Sequence, residues 1–175
     1  MYSLNPSNGK IKQLQAKEDV ISDYSIANQA FEMVYFGLSA SNSQRLYTYN
    51  LKNDASSCLI DLSKEILRDV TLGEVQDWNF VSAQGDTIYG RFYLPPHFDA
   101  TKKHPMIVNY YGGTTPTARV MESRYPSHVY AGLGYIVYII QPSGATGFGQ
   151  EFSARHVNAW GKLTADEIIE GTKKF

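Results

Sequence analysis

The chain has 175 residues, a formal net charge of -1, 43% hydrophobic and 13% aromatic residues, which excludes a disordered chain or a nucleic-acid-coating one and leaves room for one or two small domains. A single cysteine, Cys58, rules out an intramolecular disulfide, and no Cys/His group has the spacing of a zinc site, so no metal and no cofactor is expected. No apolar run reaches the roughly 20 residues of a membrane helix, and the Met1–Pro6 stretch lacks the charged and then apolar build of a secretion signal.

From the N-terminus, short alternating runs are separated by turn chemistry. Met1-Tyr2-Ser3-Leu4, then Asn5-Pro6-Ser7-Asn8-Gly9-Lys10, then Ile11-Lys12-Gln13-Leu14 predict a hairpin. Asp19 to Ile26 and Phe31 to Phe36 are two further strand candidates. A unit similar to the first returns at Leu46 to Asp54, with Tyr47 about 45 residues after Tyr2. A period of about 40 to 50 residues with several short strands marks propeller blades, although two copies fit another antiparallel meander equally well.

The pattern changes near Gly73. Trp78 to Val81 and Ile88 to Leu94 flank the turn Gln84-Gly85-Asp86, which predicts a hairpin opening a new domain. Pro95-Pro96 ends the second strand, and Met106 to Tyr110 is a continuous apolar run of the kind buried in a parallel sheet. A segment from about Val120 to Leu133 can be helical in part, and Tyr135 to Ile140 is a second buried strand, which completes a βαβ unit. Thr164-Ala165-Asp166-Glu167 is expected to cap and open a final helix, with Ile168, Ile169 and Phe175 facing the sheet and the acidic residues at its N-terminus.

The motifs that carry chemistry are Tyr110-Tyr111-Gly112-Gly113-Thr114 and Gln141-Pro142-Ser143-Gly144-Ala145-Thr146-Gly147-Phe148-Gly149. Neither the second glycine run nor Gly161-Lys162-Leu163-Thr164 fits a phosphate-binding spacing, since a Walker loop needs Ser or Thr directly after Gly-Lys and a dinucleotide fingerprint needs G-x-G-x-x-G. With Trp160-Gly161 before the Asp166 helix and the Trp78 to Leu94 hairpin, this order of motifs resembles the prolyl oligopeptidase family of serine peptidases, on its dipeptidyl peptidase IV and acylaminoacyl peptidase side. The resemblance covers nearly the whole chain. It implies an α/β fold: residues 1–73 as the end of an antiparallel β-propeller, about one to two blades, and residues 74–175 as the N-terminal half of an α/β-hydrolase domain, cut before the nucleophile elbow.

In such a domain the loop after the third strand supplies a donor to the oxyanion hole, where negative charge develops on the former carbonyl oxygen. Tyr111 stands at that loop, its phenol is a neutral donor, and Gly112-Gly113 lets the backbone turn tightly. Tyr110, facing the other way along the strand, is assigned to packing. Ser143 and Gly144 are expected on a loop that shapes the substrate cleft. Two positions depart from the common family pattern: Thr114 replaces a proline, and Gln141-Pro142-Ser143-Gly144-Ala145 stands where many relatives have Asn-Pro-Arg-Gly-Ser.

No G-x-S-x-G occurs; Gly37-Leu38-Ser39-Ala40-Ser41 lacks the final glycine. The resemblance therefore places the catalytic Ser, Asp and His beyond Phe175 and the four histidines, His97, His104, His128 and His156, outside catalysis. Two functions are expected to compete: part of a serine exopeptidase or oligopeptidase acting on short peptides, inactive as this segment alone, or a non-catalytic binding or assembly module. An esterase of the same fold suits the propeller-like N-terminal part less well. Either way, the missing hydrolase segment or a second chain must cover the sheet edge. The family resemblance favours a periplasmic or extracellular location.

Overall fold

The computed structural model describes residues 1–175 and divides into two units, one of Met1–Val70 with Val120–Glu122, the other of Thr71–Arg119 with Ser123–Phe175.

In the first unit the N-terminal turn chemistry produces the expected hairpin. Strands β1 (Tyr2–Leu4) and β2 (Ile11–Gln13) pair antiparallel, and the turn closes through the Asn5 N–H on the Lys10 carbonyl at 2.9 Å and the Ser7 N–H on Asn5 Oδ1 at 2.9 Å. A four-stranded antiparallel meander follows: β3 (Val20–Ile26), β4 (Glu32–Leu38), β5 (Arg45–Asn50) and β6 (Ala55–Asp61), neighbours in that order. Period-2 alternation buries Met33 and Tyr35 of β4 and Tyr47 and Tyr49 of β5 with Leu14. Tyr35 and Tyr47 are direct cross-strand partners whose rings stack at 5.0 Å.

Burying three tyrosines requires partners for their hydroxyls, and each has one. The Tyr35 hydroxyl accepts the Lys17 N–H at 2.9 Å, Tyr49 accepts the Gln15 N–H at 3.0 Å, and Tyr47 donates to Glu18 Oε1 at 2.5 Å. Burial and that carboxylate push the Tyr47 pKa up to about 12. Arg45 neutralises Glu18 at 3.1 Å and reaches Asp61 at 2.9 Å. The edge strands leave Val20, Tyr24, Ile26, Leu59 and Ile60 exposed.

The second unit is a mixed sheet ordered β10-β11-β9-β7, with β7 (Val75–Asp77), β9 (Thr87–Tyr93), β10 (Met106–Asn109) and β11 (Ile136–Gln141), and with β8 (Phe80–Val81) extending the pairing to β9. Strand β10 runs parallel to β11, and β11 antiparallel to β9. The hairpin turn forms where Gln84-Gly85-Asp86 predicts it, with Gly85 at φ 88°. Central strand β11 is buried from Val137 to Gln141, whereas β10 is half-buried along its length because no strand flanks its outer side. That differs from the fully buried run expected at Met106 to Tyr110.

Three helices complete the unit. Helix α1 is Ser127–Gly132, shorter than the 120–133 segment in which helix was expected, because it starts only after Pro126 at its N-cap. Helix α2 (Gln150–Ala154) was not expected. Helix α3 spans Lys162–Lys174 and begins before the anticipated cap: Gly161, at φ 102°, is the N-cap, and Thr164 is a buried position inside the first turn. No acidic residue lies in that first turn; Asp166 pairs with Lys162 at 2.5 Å, and Glu167 is buried.

Helix α3 packs through its smallest residue. A Cβ on Gly171 would stand 2.7 Å from Ile140 Cδ1 and 2.7 Å from Phe80 Cε1, so the missing side chain is what brings helix and sheet together. Phe175 stacks on Tyr138 at 4.7 Å and meets Trp78 edge-on at 5.4 Å. No helix is long and apolar enough to cross a membrane.

Candidate active-site cleft around Tyr111

Strand β10 ends at Asn109, and the chain turns through Tyr110 and Tyr111 into an irregular loop. Both rings are about half exposed, 52% for Tyr110 and 55% for Tyr111. Tyr110 therefore does not pack into a core as its position on the strand suggested. It borders a cleft of about 380 Å³ with Tyr111, Asn109, the 115–118 segment, Ser123, Arg124 and Tyr125. On its other side it borders a hollow of about 350 Å³ with Gly112, Trp160, Ile168 and Ile169.

Loops exposed to solvent need fastening if they are to hold a reacting group still, and this one is fastened at three places. The Trp160 Nε1–H donates to the Gly112 carbonyl at 2.7 Å. The Thr114 carbonyl accepts the Thr146 N–H at 2.8 Å and its hydroxyl at 3.1 Å. Gln141, 1% exposed at the end of β11, closes a two-way clamp: Thr117 N–H donates to Gln141 Oε1 at 2.8 Å, and Gln141 Nε2 donates to the Thr117 carbonyl at 2.6 Å. An amide is suited to this because it presents donor and acceptor side by side. Further along, the Arg119 carbonyl accepts from Arg91 Nη1 at 3.2 Å and the Tyr93 hydroxyl at 3.3 Å, while Asp77 holds the Arg91 Nε at 2.7 Å. The Arg91 contact holds the Asp77 carboxyl below its ordinary pKa.

Gly112 and Gly113 are half-buried in the loop, and the Tyr111 ring lies over Gly113: a Cβ there would be 2.7 Å from Tyr111 Cε1. The missing side chain at Gly113 thus permits the aromatic ring to fold back on its own backbone. Ser143 and Gly144 are placed differently from the cleft position expected of them. Ser143 is 1% exposed and Gly144 is buried, with the His156 ring so close that a Cβ on Gly144 would overlap its Cδ2 at 1.9 Å. Both form the packed base from which Thr146 reaches the Tyr111 loop.

That base rests on a residue missed in the sequence. Glu167 is 0% exposed, and its Oε2 accepts the Ser143 N–H at 2.7 Å. Burial raises its pKa, opposed by the Ser143 hydrogen bonds. A charged residue near a helix start is ordinarily solvated, so only its spacing with Thr164 and Gly171 on one helical face could have signalled burial. Trp160 carried no signal for its bond to Gly112, because its partner is a backbone atom far away in sequence. The histidines lie apart in role: His128 packs edge-on to Tyr93 at 5.0 Å, His104 tilts against Phe98 at 4.9 Å, and His97 occupies a left-handed turn at φ 58°.

The arrangement of strands and helices recurs in solved structures. The Pyrococcus horikoshii acylaminoacyl peptidase superposes with a TM-score of 0.81 over 96% of this chain and 26% of its own, at 20% identity. A second solved acylaminoacyl peptidase, at TM-score 0.82 and 20% identity over 96% of this chain and 26% of its own, is in complex with Z-Gly-Gly-Phe-chloromethyl ketone. Among curated sequences, the probable dipeptidyl-peptidase 5 of Aspergillus terreus is 33% identical over 95 residues, 54% of this chain and 12% of its own length. Dipeptidyl-peptidase 5 of Porphyromonas gingivalis is 29% identical over 154 residues, 87% of this chain and 22% of its own. No protein-family model matches. Dipeptidyl-peptidase relatives and acylaminoacyl peptidase neighbours together support a likeness to a segment of a serine peptidase of the prolyl oligopeptidase family. The chain spans 12% and 22% of the lengths of these two curated relatives.

Proposed function

We propose that the chain supplies the oxyanion side of the active site of a serine exopeptidase or oligopeptidase that hydrolyses short peptides through an acyl-enzyme. In this reading residues 1–73 are the end of a β-propeller and residues 74–175 the first half of an α/β-hydrolase domain. The observation that carries it is the position of Tyr111, at the end of the parallel strand β10, on the wall of a 380 Å³ cleft and on a loop held at three points. Relatives that are dipeptidyl-peptidases support the exopeptidase class.

The chemistry follows from the donor. When a serine oxygen attacks a peptide carbonyl, the carbonyl oxygen gains negative charge, and a fixed phenol O–H stabilises it more in the transition state than in the bound substrate. Gly112 and Gly113 let the ring reach the cleft, and Ser143 and Gly144 form the base under the loop. The catalytic Ser, Asp and His belong to residues after 175 or to a second chain, which also covers the free edge of β10 and the half-exposed Ile168 and Ile169 side. The alternative reading is a binding or assembly module without catalysis.

A fluorophosphonate probe separates the two. The 175-residue chain should remain unlabelled, and a polypeptide extended through the next G-x-S-x-G should label at that serine and release short peptides. An extended polypeptide that folds but takes no label would support the module instead.

A further inference from the structure

The geometry points to Trp160 as a positioning residue for Tyr111, acting through the Gly112 carbonyl; the assignment rests on the oxyanion reading of Tyr111. Trp160 is 75% exposed, so burial does little to fix its indole. The restraint is instead its single donor, which bonds the Gly112 oxygen at 2.7 Å, at the short end of the range for N–H···O bonds.

The consequence for Tyr111 follows from peptide geometry. Because the peptide bond is planar and trans, fixing the direction of the Gly112 carbonyl also fixes the nitrogen and α-carbon of Gly113. That α-carbon lies beneath the tyrosine ring: a Cβ built on it would stand 2.7 Å from Tyr111 Cε1, 3.2 Å from Cζ and 3.4 Å from Oη. Successive glycines have the widest choice of backbone angles, so an untethered Gly112-Gly113 peptide could rotate, draw Gly113 from beneath the ring and leave the phenol free to reorient. The Thr146 and Gln141 fastenings act later, at Thr114 and Thr117, whereas the Trp160 bond falls between the tyrosine and the glycine its ring covers.

The tether also has a firm anchor. Trp160 precedes Gly161, whose carbonyl accepts the Ala165 N–H at 2.9 Å in the first turn of α3. On the same helix, Glu167 holds the Ser143 turn at 2.7 Å. The start of α3 therefore sets both the base of the cleft loop and the orientation of its tyrosine.

The test is a double-mutant cycle in an extended polypeptide that carries the catalytic serine, with Trp160→Phe to remove the donor while keeping an aromatic ring. Trp160→Phe should lower kcat about tenfold or more with KM nearly unchanged, because a misplaced group costs rate rather than binding. In a Tyr111→Phe background the same change should cost nothing further. An equal loss in both backgrounds would show a merely structural role and overturn the assignment. Parental kcat in Trp160→Phe, with a loss in Tyr111→Phe, would overturn it and leave the oxyanion reading intact; no loss in Tyr111→Phe would remove both. In the 175-residue chain, NMR should show the Trp160 indole N–H exchanging more slowly than free indole, assigned with a Trp78→Phe variant. Free exchange there would overturn the tether without reference to activity.

Discussion

Replacing Gln141 by leucine keeps the volume at the end of β11 and removes the clamp on Thr117. The structure loses two hydrogen bonds, at 2.8 Å and 2.6 Å, and leaves a half-buried backbone N–H and C=O to find other partners. At about 0.5–1.5 kcal/mol for each bond, local opening of the 112–119 loop should become easier by about 1–3 kcal/mol. Arg119 ends the loop and offers a trypsin site, so limited proteolysis reads this opening directly. Where opening equilibrates faster than cleavage, the cut after Arg119 should accelerate by about 5- to 150-fold. Thr117→Ala is the control, since both clamp contacts on that residue are to its backbone, and it should cleave at the parental rate. Unchanged cleavage in Gln141→Leu would refute the reasoning, because the loop would then be held without the amide.

Other perturbations test the scaffold. Gly90→Ala should destabilise the second unit by about 1–3 kcal/mol, read as a lower urea midpoint, because its Cβ would lie 2.5 Å from the Trp78 carbonyl oxygen and 2.6 Å from Tyr138 Cε2. For Glu167, burial raises the folded pKa above the ordinary 4.5, so the folded state holds a proton that the unfolded chain releases. The stability this group contributes is complete below that ordinary value and is lost as pH rises through the folded one. The gain in urea midpoint of Glu167→Gln over the parent should therefore grow as pH rises above that ordinary value, and a difference that does not change with pH would argue that the carboxyl is not desolvated.

Local chemistry made much of the strand pattern legible. Asn-Pro-Ser-Asn-Gly and Gln-Gly-Asp each turn the chain where such residues should, and the apolar run before Gln141 is the buried centre of its sheet. What escaped the sequence is non-local or short. Helix α2 buries only Phe152 and has no room for a helical period, and the glycine at 161 starts α3 before the residues that resemble a capping box. Tyr110 misled because alternation along a strand predicts facing only while the strand continues, and β10 stops at Asn109. At the candidate site, the tyrosine and glycines could be named from their motif, but their fastenings could not. Trp160, Thr146 and Gln141 reach the loop through backbone atoms, and such contacts leave no residue-type signature at the receiving end.

The central claim is that the Tyr111 hydroxyl stabilises an oxyanion, and the kinetics of Tyr111→Phe in an extended, serine-bearing polypeptide test it most directly. Removing one donor of this kind should lower kcat by about 10²–10³-fold while leaving KM and the urea midpoint close to parental values, since the ring remains and only the half-exposed hydroxyl is lost. A variant that turns over peptides at the parental rate would contradict the account.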